Sequence, residues 1–350
     1  MRVVVVGATG NVGTSTVHAL AGDPAITSVL GLARRLPEWK ADKTEWARAD
    51  ITKTDLVPLL RGADAVVHLA WLIQPTHQPL VTWQTNVLGS VRVFRAVAEA
   101  GVPALVYASS VGTYSPGPAD RAVGENWPTH GWPTAAYSRE KAYVERLLDS
   151  FQADHPQCRV VRLRPGFILK RESAAGQRRL FAGPLLPGKL ARPGAIPVIP
   201  DIPGLRLPVV HSDDAGQAYR LAVVREVRGP FNIAAEPAIG TEQLARLLDA
   251  KPVRVPPAVL RAGLAAGWYA RLVPAEPNLF DMALHLPVMD TTRARQELGW
   301  SPARSAADTL GEFLAGLRAG AGMPTPPLAS GAGGPLRLRE FLTGAGRASR

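Results

Sequence analysis

The stretch RVVVVGATGNVG, residues 2–13, decides the fold. Its four valines, Val3 to Val6, run on without polar alternation, the pattern of a strand covered on both faces as in a parallel sheet. Gly7, Gly10 and Gly13 follow at G-x-x-G-x-x-G spacing, and a helical pattern begins near Asn11. Strand, glycine turn and helix in direct succession open a βαβ unit. The first glycine permits a tight turn, the second lets a pyrophosphate approach the backbone, and the third packs helix on strand, with the helix N-terminus facing the negative charge. On this reading Gly7, Thr9, Gly10, Asn11, Val12 and Gly13 hold a dinucleotide.

Working outward, similar apolar runs alternate with helical patterns as far as residue 168. Strands are expected at 2–7, 28–33, 44–49, 65–70, 104–110 and 159–165, and helices near 11–21, 54–61, 80–100 and 135–153. The alternation predicts an α/β fold, a Rossmann-type doubly wound parallel sheet with helices on both faces. Residues 1–168 form the dinucleotide-binding domain, and strand patterns at 207–211 and 229–234 make 206–235 a return to it. The Pro- and Gly-rich stretch 169–205, together with 236–318, makes a smaller, partly discontinuous C-terminal substrate lobe. Residues 319–350 read as a disordered Gly/Pro-rich tail.

Composition excludes several classes. Of 350 residues, 40 are Lys or Arg and 29 Asp or Glu, a net charge of +11. The arginines are scattered without interleaved aromatics, so a nucleic-acid partner is not expected; a solvated arginine surface and attraction of phosphorylated ligands both fit. The single cysteine, Cys158, allows no intrachain disulfide and fits a reducing cytoplasm. No run of about 18 uncharged apolar residues would span a bilayer, and the strand pattern from Arg2 leaves no room for a signal peptide. A cytoplasmic location without a membrane partner is therefore expected. Residues 255–274 are apolar, but Arg261 and Arg271 interrupt them and predict a buried helix. The histidines form no H-x-x-x-H or similar cluster, so no metal is expected.

Two local patterns carry chemistry. In AAYSREKAYVERLL, residues 135–148, Tyr137 and Lys141 stand four apart on one helix face. A cation beside a phenol favours the phenolate, so the pair can exchange a proton nearer neutral pH; alone, it reads equally as a packed tyrosine with a lysine reaching for water. The second strand ends Ala33-Arg34-Arg35, where an NAD-binding unit carries an acid for the ribose hydroxyls. A guanidinium such as that of Arg34 suits a 2′-phosphate, so NADP is favoured over NAD.

Taken in order, GATGNVG (7–13), ADI (49–51), AVVHLA (65–70), Asn86 within NVLG, YASSVGTY (107–114), YSREK (137–141), RLRPG (162–166), VVHSDDAGQAY (209–219), GPFNIA (229–234) and ARQELGW (294–300) resemble the extended short-chain dehydrogenase/reductase superfamily, in its NAD(P)-dependent epimerase/dehydratase branch. The resemblance spans residues 1–318. It implies Tyr137 as the acid or base, Lys141 lowering its pKa and bonding the nicotinamide ribose, and Ser110 on the reacting oxygen, with Ser109 its rival and a cofactor neighbour. It also places Asp50 and Ile51 at the adenine, Leu69 and Ala70 at the cofactor ribose, Asn86 behind the active site, and Pro165, Gly166 and Phe167 on the nicotinamide side. Asp213 and Asp214 are expected to cap the following helix. A homodimer paired through the catalytic helix is a further implication.

The substrate, a small molecule such as a nucleotide sugar, is expected to meet Trp71, Gln74, Ser110, Trp132 and Arg179; Trp127, His130, Arg178 and Arg192 are further candidates. Three activities remain open: an epimerase or dehydratase with resident coenzyme, an NADPH-dependent carbonyl reductase on a non-sugar substrate, and a non-catalytic dinucleotide-binding sensor.

Overall fold

The valine run becomes the centre of the sheet. The computed structural model describes residues 1–73, 77, 79–118, 120–182 and 191–330. Strands β1 (Arg2–Val6), β2 (Ser28–Ala33), β3 (Thr44–Arg48), β4 (Ala65–His68), β5 (Ala104–Ala108), β6 (Arg159–Pro165), β7 (Phe167–Leu169), β8 (Val198–Asp201), β9 (Leu207–His211), β10 (Gly229–Ile233), β11 (Ala235–Ile239) and β12 (Lys251–Arg254) follow in chain order. The helices are α1 (Asn11–Ala21), α2 (Val57–Leu60), α3 (Pro79–Thr82), α4 (Gly89–Glu99), α5 (Ala136–Asp154), α6 (Ala174–Gln177), α7 (Ser212–Val224), α8 (Thr241–Leu248), α9 (Pro257–Tyr269), α10 (Pro277–His285) and α11 (Ala306–Ala319).

Seven strands make one parallel sheet in the order β10-β6-β5-β4-β1-β2-β3. Its direction of winding reverses between β1 and β4, and that reversal opens the crevice in which doubly wound sheets bind ligands. Val3, Val4 and Val5 are fully buried, and alternate valines feed the cores on the two faces of the sheet. Removing their apolar surface from water, at about 25 cal/mol per Å², is the main favourable term of the fold. On β4, His68 sits in the same core, its Nε2 2.9 Å from Ser90 Oγ; burial, aided by the Lys141 charge, pushes the imidazole down to about 3 and keeps it neutral.

The segment after residue 205 divides. β10 closes the outer edge of the main sheet beside β6, whereas β9 pairs with β7 and β11 in a separate three-stranded sheet. Three expectations need correction. Residues 320–330 are not a loose tail: Thr325 and Leu328 are buried, and Ala175 N–H donates to Ala321 O at 3.2 Å. The remaining tail, 331–350, lies outside the described residues. Asp213 and Asp214 sit in the first turn of α7, but the cap is His211, whose Nδ1 accepts from Asp213 N–H at 3.1 Å. Helix α9 is not buried; only Trp268 of its thirteen residues is, because α9 has few partners beyond α10.

Candidate active site

The glycine turn after β1 lies at the switch point. Gly7 has φ +89°, and a Cβ there would lie 2.6 Å from Ala70 N, so only glycine lets the end of β1 meet the end of β4. A Cβ at Gly13 would lie 2.4 Å from Gly7 O, which fixes α1 tightly on the turn. Gly10 is different. Its Cβ would meet nothing nearer than Gly7 O at 3.5 Å, so the protein itself does not require glycine here. Gly10 is also the N-cap of α1 with no side-chain cap, leaving the first-turn amides to an outside acceptor. Asn11 donates to Ile168 O at 2.8 Å, while its Oδ1 is buried with no partner among the described residues. An uncapped helix end, with no side chain at Gly10 to bar the approach, fits a dinucleotide pyrophosphate. Thr9 is buried in the turn and Val12 packs on the core.

Asp50, expected at the adenine, has its Oδ1 accepting from Thr52 N and Thr52 Oγ1 at 2.9 and 2.7 Å. The turn amide and hydroxyl of Thr52, with the charges of Arg34 and Lys53, outweigh desolvation and hold the Asp50 carboxyl below its usual range. Ile51 differs from expectation: its side chain is buried against Gly89 at the start of α4. Arg34 and Arg35 are exposed just beyond Ala33. On the nicotinamide side, Pro165 ends β6, Gly166 N–H donates to Ile233 O at 3.0 Å, and Phe167 is partly exposed.

Helix α5 brings the reactive groups. Tyr137 and Ser110 both close on Gly112, where a Cβ would lie 3.0 Å from Tyr137 Cε1 and 3.4 Å from Ser110 Oγ, and the Tyr137 and Trp71 rings meet edge-on with centroids 6.1 Å apart. Burial raises the phenol's pKa, and the neighbouring Ser110 hydroxyl opposes it. The Lys141 ammonium donates to Ala108 O at 2.6 Å and lies 3.5 Å from the centre of the Trp71 ring, a cation–π contact. Desolvation lowers its pKa well below the ordinary range, against the opposing pull of Glu145 and Glu140.

Ser109, expected near the coenzyme, is turned the other way: its hydroxyl donates to Glu145 at 2.5 Å. Glu145 is fully buried and also receives Arg164 through Nε at 2.8 Å and Nη2 at 2.5 Å. The guanidinium and Ser109, against desolvation, hold its carboxyl below the ordinary value. Arg164 continues to Tyr114 Oη at 3.0 Å, which donates to Asn232 at 2.6 Å. This network ties α5 to β6 and β10, and fixes the helix that carries Tyr137. Glu145→Ala would leave Arg164 buried without its counter-charge, an expected loss of about 3–5 kcal/mol in urea unfolding; a loss below about 1 kcal/mol would remove the network's structural role.

Asn86 bonds the Leu72 backbone in both directions, at 2.7 and 3.1 Å, and donates to the buried Glu140 at 2.7 Å, so it braces the loop after β4. Leu69 N–H donates to Val6 O at 2.8 Å. Of the substrate candidates, Trp71 reaches the catalytic helix, and Trp132 stacks on His285 at 4.5 Å. Both indole N–H groups are buried without a partner among the described residues. Arg179 is not aimed at a substrate; it donates to Ala329 O and Pro327 O at 3.1 and 2.9 Å, because those carbonyls of the C-terminal segment face it. Trp127 packs with Tyr114 and Met289, His130 and Arg192 are exposed, and Gln74 lies outside the described residues. No group of three metal-ligating side chains occurs among the described residues.

The family model described as "NAD dependent epimerase/dehydratase family" matches residues 3–234. The chain belongs to the NAD dependent epimerase/dehydratase family. Among curated relatives of this epimerase/dehydratase chain, the uncharacterized protein Rv2047c of Mycobacterium tuberculosis is 27% identical over 326 residues, covering 92% of this chain and 31% of the relative. The uncharacterized protein Rv0501 of the same organism is 26% identical over 330 residues, 90% of this chain and 83% of the relative. The chain thus spans under a third of the length of the first of these. Thermus thermophilus UDP-glucose 4-epimerase in complex with NAD superposes with a TM-score of 0.68 at 20% identity, covering 91% of this chain and 99% of that one, which establishes the shared fold.

Proposed function

We propose that the chain transfers a hydride between the nicotinamide of a bound dinucleotide and a carbinol carbon of a nucleotide sugar, with Tyr137 moving the proton. Ser110 and Tyr137, which close together on Gly112, with Lys141 one helical turn on, carry this reading. When bound, the coenzyme supplies the hydride acceptor and donor. Ser110 and Tyr137 hold the substrate oxygen between them, and Tyr137 takes its proton during oxidation and returns it during reduction. As found, burial keeps Tyr137 a neutral phenol, the form that protonates an oxygen; the base role requires the Lys141 ammonium to leave Trp71 for the phenol. Residues 169–205 and 236–318 are the lobe we assign to the sugar. The NAD-bound UDP-glucose 4-epimerase of Thermus thermophilus supports a nucleotide sugar as the substrate class.

A second reading, an NADPH-dependent carbonyl reductase, draws on Ala33 and the exposed Arg34, which leave room and charge for a 2′-phosphate. One experiment separates them. The purified protein is denatured, the released nucleotide identified, and the native protein assayed with UDP-glucose and with NADPH plus a carbonyl panel. Retained NAD, with sugar conversion and no net coenzyme consumption, is the expected result. NADPH consumed in step with a carbonyl would replace the epimerase reading with the reductase, and neither activity would leave a sensor.

A further inference from the structure

Lys141 is buried, 3% exposed, yet among the described residues its ammonium is hydrogen-bonded to no carboxylate. Two acids on its own helix act on its charge, and both are committed elsewhere. Glu140 accepts from Thr82 Oγ1 at 2.6 Å with one oxygen and from Asn86 Nδ2 at 2.7 Å with the other. Glu145 gives one oxygen to Ser109 and Arg164 Nε, and the other to Arg164 Nη2. A buried cation needs its charge compensated. What faces Nζ is Ala108 O at 2.6 Å, the centre of the Trp71 ring at 3.5 Å and that of Tyr107 on β5 at 5.1 Å. The face of an indole is the most electron-rich of the aromatic side chains, so Trp71 carries most of that task.

The other titratable groups around Lys141 supply no negative charge. On β4, His68 is kept neutral by burial and by the lysine itself. Arg162 and Arg164 of β6 are turned to Glu145, at 3.7 and 2.5 Å, and burial keeps Tyr137 of α5 a neutral phenol. Trp71 is also held in place. Its chain neighbour Leu72 exchanges two hydrogen bonds with Asn86, which bonds Glu140 in turn, and its ring meets that of Tyr137 edge-on. One indole thus borders both the amine and the phenol.

We propose that Trp71 is a positioning residue: its ring serves Lys141 in place of a counter-ion and competes with the Tyr137 phenolate for that cation. The second half rests on Tyr137 as the carrier of the proton. While the ammonium stays on the ring, the phenol lacks the charge that would favour its ionisation. Two shifts of the same sign follow from removing the ring. Charged Lys141 loses its support, so the amine gives up its proton at lower pH. The phenolate loses its competitor, so Tyr137 also ionises at lower pH.

The first shift is read by NMR titration of the Lys141 Cε signal, assigned by its disappearance in Lys141→Arg, in the Tyr137→Phe background where no phenolate intervenes. Trp71→Leu should lower the midpoint by about one pH unit, and Trp71→Phe, which keeps a smaller ring, by roughly half as much. The second is read in the pH dependence of turnover with Tyr137 present, where Trp71→Leu should move the rising limb to lower pH by a similar amount. A midpoint that stays or rises, as loosened packing that admits water would give, overturns the proposal. A limb that stays or moves to higher pH does so too. Should Trp71→Leu fail to keep the circular dichroism of the wild type, Trp71→Phe decides by the sign of the same two shifts. The titration needs neither substrate nor coenzyme, so a wild type without turnover would strike at the role of Tyr137 and not at the hold on Lys141.

Discussion

Tyr137→Phe is expected to lower turnover by about a thousand-fold while leaving dinucleotide affinity within about two-fold of the wild type. The size follows from the position of the hydroxyl. It lies beside Ser110 and is carried on α5 next to Trp71, while Lys141 is held by Ala108 O and Ser109 is committed to Glu145. Phenylalanine keeps the ring that packs over Gly112, so the fold is unaffected and the loss falls on kcat. Stopped-flow and steady-state assays with the substrate identified by the retention experiment read it directly. A variant that keeps more than about a tenth of its rate would remove Tyr137 from the proton's path.

The sheet was legible because its signal is local and repeated. Val3 to Val6 have no solvent-facing alternate, which only a doubly covered strand explains, and all six expected strands between residues 2 and 165 form within three residues of their expected ends. The register of chemistry along α5 was half legible. Tyr137 and Lys141 share a face, and Glu145 continues it at the next i+4 step, so a third polar group on the buried side was readable from spacing alone. What spacing could not supply was its partner, since Arg164 lies on β6 and meets Glu145 only when the sheet is assembled. The same limit hid the Trp71 contact, which depends on a loop path rather than a period. Helix α9 misled for a different reason: an apolar sequence predicts burial only if the fold supplies something to pack on it.

The most direct measurement is the binding of dinucleotide to wild type and to Gly10→Asp by calorimetry. The Gly10 backbone, φ −77° and ψ 179°, suits any residue, and its Cβ would make only ordinary contact with Gly7 O at 3.5 Å, so aspartate fits without strain. An aspartate there also caps the first-turn amides of α1, so the melting temperature should stay level or rise, a gain of about 1 kcal/mol or less. The added carboxylate occupies the place and repels the charge of a pyrophosphate, which at a few ångströms costs several kcal/mol. Wild type should bind one dinucleotide per chain, and folded Gly10→Asp should bind it at least about a hundred-fold more weakly. Equal affinity in the two proteins would mean that the end of β1 and the start of α1 do not hold the coenzyme.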